Sequence, residues 1–311
     1  MINPNLKAKD RIHDNLPEDL KKLMRDHLLS DEDHKKVLED IKDKSYKGKS
    51  AVEHPKYVIV LGQTGAGKSN LTTSLISSND NIVVIDTDKY KGYRDDSSKI
   101  QEEYLVEYAY LTAPDAYLHR DEMIYDAMSK KYNILMECAT SEKEGMFVNL
   151  DKIREKGYEV EIAVLGVSSI NSLLSIHERY ESQIDLNLSS AKLTSIRRHD
   201  DSYTSLRKCV KNIKENEINV SVFKRGVEFP YKPQKIYTSK DEIKRYASAI
   251  DALDFAQLQD KRNTMFNFNQ RYAIVQQQML RRNAPIQQLN QLNEVLNRFN
   301  EEKEKEEVIE K

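Results

Sequence analysis

Residues Gly62 to Ser69 read Gly-Gln-Thr-Gly-Ala-Gly-Lys-Ser and match the pattern G-x-x-x-x-G-K-S in full. Each type at that spacing has a chemical use. Glycines at 62, 65 and 67 let backbone N–H groups turn inward as a nest for phosphate oxygens. Lys68 can reach the β- and γ-phosphates, and Ser69 offers a hydroxyl to Mg²⁺. An apolar run from Tyr57 to Leu61 precedes the loop, and a helical pattern through Leu71, Leu75 and Ile76 follows it, adding the positive end of a helix dipole. Strand, loop and helix in that order separate a phosphate loop from an ordinary glycine-rich turn. Gly62, Gln63, Thr64, Gly65, Ala66, Gly67, Lys68, Ser69 and Asn70 are therefore expected to hold a nucleoside triphosphate, with Mg²⁺ on Ser69.

Phosphoryl transfer asks little covalent chemistry of a protein. It needs a group that positions the acceptor hydroxyl, and positive charge over the transferred oxygens. Such groups belong at the carboxyl ends of parallel strands. Apolar, β-branched runs at 57–61, 82–86, 133–137 and 160–167 alternate with helical stretches, and later strands are expected at 216–223 and 235–238. This alternation predicts an α/β fold: a parallel, P-loop kinase-like sheet covered by helices on both faces, with helical additions at each end.

Asp88, after the second run, and Glu137, ending the third, sit where functional acids are expected. Asp88 could take a proton from an acceptor hydroxyl. Its other use is as a cap for the following segment, and Asp86 rivals it, facing the same side if the strand alternation continues. Helices at 173–183 and 197–213 carry Arg179, Arg197 and Arg198, which could clamp the γ-phosphate. Each arginine by itself could equally be a solvated surface charge.

The chain has 311 residues, a formal charge of −2 and 32% charged residues, so no global field recruits nucleic acid or anionic membrane. No apolar run reaches membrane-spanning length, and the first fifty residues lack a secretory leader pattern. Cys138 and Cys209 form neither a metal-ligand spacing nor a disulfide framework and are expected to be small packed side chains. A cytoplasmic protein is expected. Residues 1–50 read as charged helices, with Pro17 near one start and Ser30 as an N-cap. The body is expected over 51–240, and 241–311 as a helical extension whose pattern starts near Ser239. Pro285 interrupts that extension. Ile286, Leu289, Leu292, Val295, Leu296 and Phe299 then form an apolar stripe, expected to face the protein's own core rather than a partner.

The ordered set of motifs resembles the zeta toxin family, the toxin kinases of bacterial toxin–antitoxin systems, over roughly residues 45 to 240. It runs through GKSAVEHPKYVIVLGQTGAGKS, VVIDTDKYK, KKYNILMECAT and IHERYES to the RRHD helix. The resemblance implies a kinase that moves the ATP γ-phosphate to a hydroxyl of UDP-N-acetylglucosamine and blocks cell-wall precursor supply. Lys68 and Ser69 would hold ATP and Mg²⁺, and Asp88 would be the acceptor-side base. Asp121, Glu137 and Thr140 would meet the sugar nucleotide, and Arg179 with Arg197 or Arg198 the γ-phosphate. It also implies a small helical antitoxin as partner, with neither membrane nor nucleic acid. The sequence departs from the family after the third strand, reading Glu137-Cys138-Ala139-Thr140-Ser141 where Glu-Gly-Thr with a nearby arginine is usual.

Three other readings stay open on the residues. The same chemistry could serve another nucleotide, a dinucleotide cofactor or a polynucleotide 5′-hydroxyl. The chain could be an ATP-sensing module without turnover. Its N-terminal helices could also inhibit in cis.

Overall fold

A computed structural model of the chain describes residues 7–309 apart from 15, 105–106, 140–144, 187–190, 192 and 229–230. The apolar runs fold as six strands: β1 (Lys56–Gly62), β2 (Val83–Ile85), β3 (Ile134–Ala139), β4 (Glu159–Gly166), β5 (Asn219–Lys224) and β6 (Gln234–Thr238). Their order in the sheet is β2-β3-β1-β4-β5-β6. β2 pairs with β3, and β4 with β5, in parallel, while β6 runs antiparallel along β5 across an irregularity at Val222/Phe223. Every residue of β1 after Lys56 is buried, which explains why these strands read as continuous apolar runs rather than alternating ones.

Helices flank the sheet: α1 (Glu18–Asp26), α2 (Asp31–Tyr46), α3 (Lys68–Ser78), α4 (Thr87–Tyr90), α5 (Ser97–Glu103) and α6 (Tyr108–Leu111). They continue as α7 (Ala113–Ser129), α8 (Gly145–Glu155), α9 (Ser169–Asp185), α10 (Ile196–Lys211), α11 (Ala249–Arg281) and α12 (Ile286–Ile309). Among the described residues, no helix is long and apolar enough to cross a membrane.

The chain divides into two compact units. One comprises residues up to Val58, Ile76–Glu137 and Gly145–Val160; the other comprises Ile59–Leu75, a short segment from Cys138, and everything from Glu161 onward. In the first unit α7 is the spine, with α2, α4, α6 and a 3-10 turn at Ala8–Arg11 packed against it. Ser30 caps α2 as expected, its hydroxyl accepting the Asp33 amide at 3.1 Å. Met24, Ile100 and Leu111 form a buried cluster there.

In the second unit α11 lies along α9 and β5. Gly166, ending β4, permits that approach: a Cβ there would stand 2.5 Å from the Ala256 Cβ. The C-terminal stripe turns inward, as expected. Leu292, Val295 and Phe299 of α12 are buried with Phe268, Tyr272, Val275 and Met279 of α11 and with Leu173 and Leu174 of α9. Phe268 and Phe299 stack with centroids 3.9 Å apart. Ile286 departs from the stripe and is 63% exposed, because it opens α12. The helical pattern expected from Ser239 begins ten residues later, at Ala249, where Ser248 accepts the Asp251 amide and caps α11; residues 239–248 form turns and bends.

Candidate functional site

β1 ends at Gly62 and α3 begins at Lys68, so the glycine-rich loop lies between a buried strand and a helix N-terminus. Gly65 and Gly67 have φ of +81° and +90°, conformations that a side chain resists. At Gly65 space adds to this: a Cβ would lie 2.1 Å from the Ser172 carbonyl oxygen. Lys68 folds over the loop, its ammonium donating to the carbonyls of Gly62 at 3.0 Å and Gln63 at 3.2 Å. Ser69 and Asn70 are exposed in the first turn of α3.

Gln63 is fully buried, and its side chain turns inward to donate to the Val167 carbonyl at 2.7 Å and the Ser172 hydroxyl at 3.2 Å. The Thr64 amide donates to Ser202 Oγ at 3.2 Å. These contacts tie the loop to α9 through Ser172 and to α10 through Ser202. Those two helices carry the expected arginines. Arg179 is exposed on α9, and Arg197 and Arg198 are exposed in the first turn of α10, which Ser195 caps. Sequence reasoning missed Ser172, Ser202 and the buried His199 beside them; hydroxyls inside two arginine-bearing helices were the available signal. The residues fit a nucleotide: a nest shaped by two positive-φ glycines, a lysine poised on it and a serine hydroxyl at the helix start.

The expected acids lie in the first unit, except that Thr140 falls outside the described residues. β2 stops at Ile85, so Asp86 and Asp88 do not share a strand face. Asp86 is the cap of α4, accepting the amides of Asp88 at 3.0 Å and Lys89 at 3.4 Å. Asp88 is thereby freed from capping. Its side chain is 79% exposed and meets Lys91 Nζ at 2.5 Å, while Lys91 itself is 7% exposed, so a buried cation steadies a solvent-facing carboxylate.

α4 packs on α7, which carries Asp121. That carboxylate is buried and held by two guanidiniums: Arg120 donates to Oδ1 from Nε at 2.9 Å, and Arg11 of the N-terminal turn bonds Oδ2. Arg11, 110 residues away in sequence, was not foreseen. Glu137 is half-buried on β3. Cys138 and Cys209 are free thiols, and burial pushes Cys209 up to about 12, which keeps it protonated and unreactive.

The Zeta toxin family profile matches residues 39–242. Toxin zeta of Enterococcus hirae is 27% identical over 170 residues, 54% of this chain and 59% of the relative. Toxin PezT of Streptococcus pneumoniae is 25% identical over 214 residues, 68% of this chain and 82% of that protein. The chain matches about three fifths of the length of the zeta toxins of Enterococcus hirae and Streptococcus pyogenes. A solved structure of the PezAT chromosomal toxin–antitoxin system of Streptococcus pneumoniae superposes with a TM-score of 0.67 at 20% identity, over 81% of this chain and 98% of that one. The likeness establishes a P-loop kinase fold, and with a profile that spans most of the chain, the protein belongs to the zeta toxin family.

Proposed function

We propose that this chain is an ATP-dependent phosphotransferase acting as the toxin of a toxin–antitoxin pair, with a sugar hydroxyl of UDP-N-acetylglucosamine as acceptor. The observation that carries the reading is that the phosphate loop is hydrogen-bonded directly to the two arginine-bearing helices, α9 through Ser172 and α10 through Ser202. Arg179, Arg197 and Arg198 thus ride on elements anchored to the loop, an arrangement suited to closing positive charge over a transferred phosphoryl group.

The loop amides, Lys68 and Ser69 would hold the triphosphate and Mg²⁺. Held there, ATP would supply the phosphoryl group and Mg²⁺ would offset the charge that develops on it. Asp88, steadied by Lys91, would accept the acceptor hydroxyl's proton at a carboxylate oxygen. Asp121, Glu137 and Thr140 would contact the sugar nucleotide, in keeping with the family motifs. The kinase domain is read as residues 51–240, between the N-terminal helices at 1–50 and the extension at 241–311. A cytoplasmic location and a small helical antitoxin complete the proposal.

The test is to incubate the protein with Mg·ATP and UDP-N-acetylglucosamine and seek phosphorylated sugar nucleotide by mass spectrometry, with Lys68→Ala as control. Product from the wild type alone supports the full reading. ATP binding without product transfers the proposal to another hydroxyl acceptor, which the altered sequence after Glu137 favours as the second reading. ATP binding with no turnover on any acceptor would leave only a sensor.

A further inference from the structure

Behind the phosphate loop lies a chain of polar side chains that the chemistry above does not use, buried at Gln63, Ser172, His199 and Ser202 and partly exposed at Asp200 and Arg298. Ser172 Oγ, inside α9, is 2.8 Å from His199 Nε2; His199 Nδ1 is 3.0 Å from Asp200 Oδ1; and Arg298 of α12 donates from one nitrogen to both Asp200 oxygens at 3.0 and 2.9 Å. On the loop side, Gln63 Nε2 donates to the same Ser172 hydroxyl, and the His199 carbonyl accepts from Ser202 Oγ, which in turn receives the Thr64 amide.

Serine, histidine and aspartate in this sequence of contacts have the connectivity of a nucleophilic triad. Burial rules that use out. Ser172 and His199 are both fully buried, and the hydroxyl also sits 2.8 Å from the Ser168 carbonyl one helical turn back, so no substrate carbon can approach it. What remains is geometry. Burial pulls the His199 ring towards the neutral form, and Asp200 beside Nδ1 selects the tautomer with its proton there. Nε2 is then an acceptor facing the Ser172 hydroxyl, whose one proton is shared between that nitrogen and the Ser168 and Ser169 carbonyls, while Ser172 Oγ accepts from Gln63. Gln63 donates from the loop to Ser172, and the ring and Arg298 both donate to Asp200.

We propose that Gln63, Ser172, His199, Asp200 and Arg298, with Ser202, form a positioning relay through which the C-terminal helix α12 fixes the backbone of the phosphate loop. The inference rests on reading that loop as the nucleotide site. It gives α12 a role in the kinase that its distance in sequence conceals: Arg298 is 98 residues from Asp200, its partner in the relay. It also gives His199 the role of a positioning residue, since it touches no reacting atom.

The experiment uses the full-length protein without nucleotide and reads amide hydrogen exchange across residues 62–67. Arg298→Met and Ser172→Ala should speed exchange of the loop amides about tenfold, the effect of losing one hydrogen bond of the relay. Arg298→Lys, which keeps a cation against Asp200, should restore the wild-type rate. Val295→Ala, which loosens α12 without touching the relay, should leave loop exchange unchanged, and His199→Gln supplies a polar replacement should Ser172→Ala not fold. In Mg·ATP titrations the same relay variants should bind about tenfold more weakly, with Val295→Ala at wild-type affinity. Loop exchange at the wild-type rate in Arg298→Met and Ser172→Ala, or altered equally in Val295→Ala, overturns the relay. Accelerated exchange in the relay variants with no Mg·ATP binding by any protein, wild type included, upholds the relay and overturns the nucleotide reading instead.

Discussion

The immediate surroundings of the phosphate loop and those of the acids hold their polar groups in opposite ways. Around the loop the acceptors are uncharged: Lys68 rests on two carbonyls, Gln63 Nε2 on a carbonyl and a hydroxyl, and the Thr64 amide on Ser202, while Gln63 Oε1 is buried without a partner. Among the acids, charge meets charge, with Asp121 against Arg11 and Arg120, and Asp88 against Lys91. Neutral donors hold a backbone shape without competing for an incoming anion. Ion pairs hold carboxylates that an arriving substrate would have to re-pair. The loop is thus pre-shaped, whereas the acids are stabilised by partners of their own.

The harshest way to break the comparison is at Lys68, the loop's one side-chain cation, which rests on two carbonyls and, under the proposed function, would also serve the phosphates. Lys68→Ala should lower phosphoryl transfer by roughly 10³-fold, as removal of a principal transition-state electrostatic contact does, while leaving the unfolding midpoint nearly unchanged. Steady-state rates with Mg·ATP and urea unfolding of the same sample decide it. Next in size is Phe299→Ala. The ring is 3% exposed and stacked on Phe268, so its loss should cost about 3–5 kcal/mol in urea unfolding and strip the second unit of its C-terminal support.

Much of this was legible in sequence, for reasons that differ by element. The strands were, because burial on both faces leaves continuous β-branched runs, as in the stretch from Tyr57 to Leu61. The loop was, because its backbone shape dictates glycine at 65 and 67 whatever surrounds it. The end of β2 was not: alternation placed Asp86 and Asp88 on one face, but Asp86 caps a helical turn instead, a competition between ladder and side-chain bonding that local sequence leaves balanced. The start of α11 was misplaced because charged residues after Ser239 suit a helix surface as well as a turn. The relay and the Arg11–Asp121 pair were illegible, since their partners lie 27, 98 and 110 residues apart and only the fold brings them together.

Acid titration sharpens the comparison by touching the first unit at one buried histidine, His119, and the second at two, His177 and His199. Burial pulls His177, in the second unit, from 6.5 down to about 4 and His119, in the first, to about 3. As pH falls through 6.5 the unfolded chain takes up a proton at each site and the folded chain does not. The stability due to the neutral rings is therefore complete above 6.5 and is lost below it at about 1.4 kcal/mol per pH unit per histidine. Between pH 7 and 5 each should remove roughly 2 kcal/mol. Urea unfolding across that range should show the slope, and His177→Gln and His119→Gln should each flatten it by about 1.4 kcal/mol per pH unit, with buried His199 adding a part of its own.

The smallest expected effect is also the one that separates the two modes of satisfaction. Arg11→Met removes one of the two guanidiniums on Asp121 and leaves Arg120 on the other oxygen, so the buried carboxylate is half-satisfied rather than abandoned. The cost should be about 1–2 kcal/mol, the range for losing one charge-assisted bond while another persists. Arg120→Met should cost a similar amount, and the double variant more than the sum, because only then is a charge left buried and unpaired. A double-mutant cycle by urea unfolding reads this coupling. Strict additivity would mean that Asp121 is solvated well enough to need neither cation, and the acid-bearing unit would then be held together by packing on α7 rather than by its ion pairs.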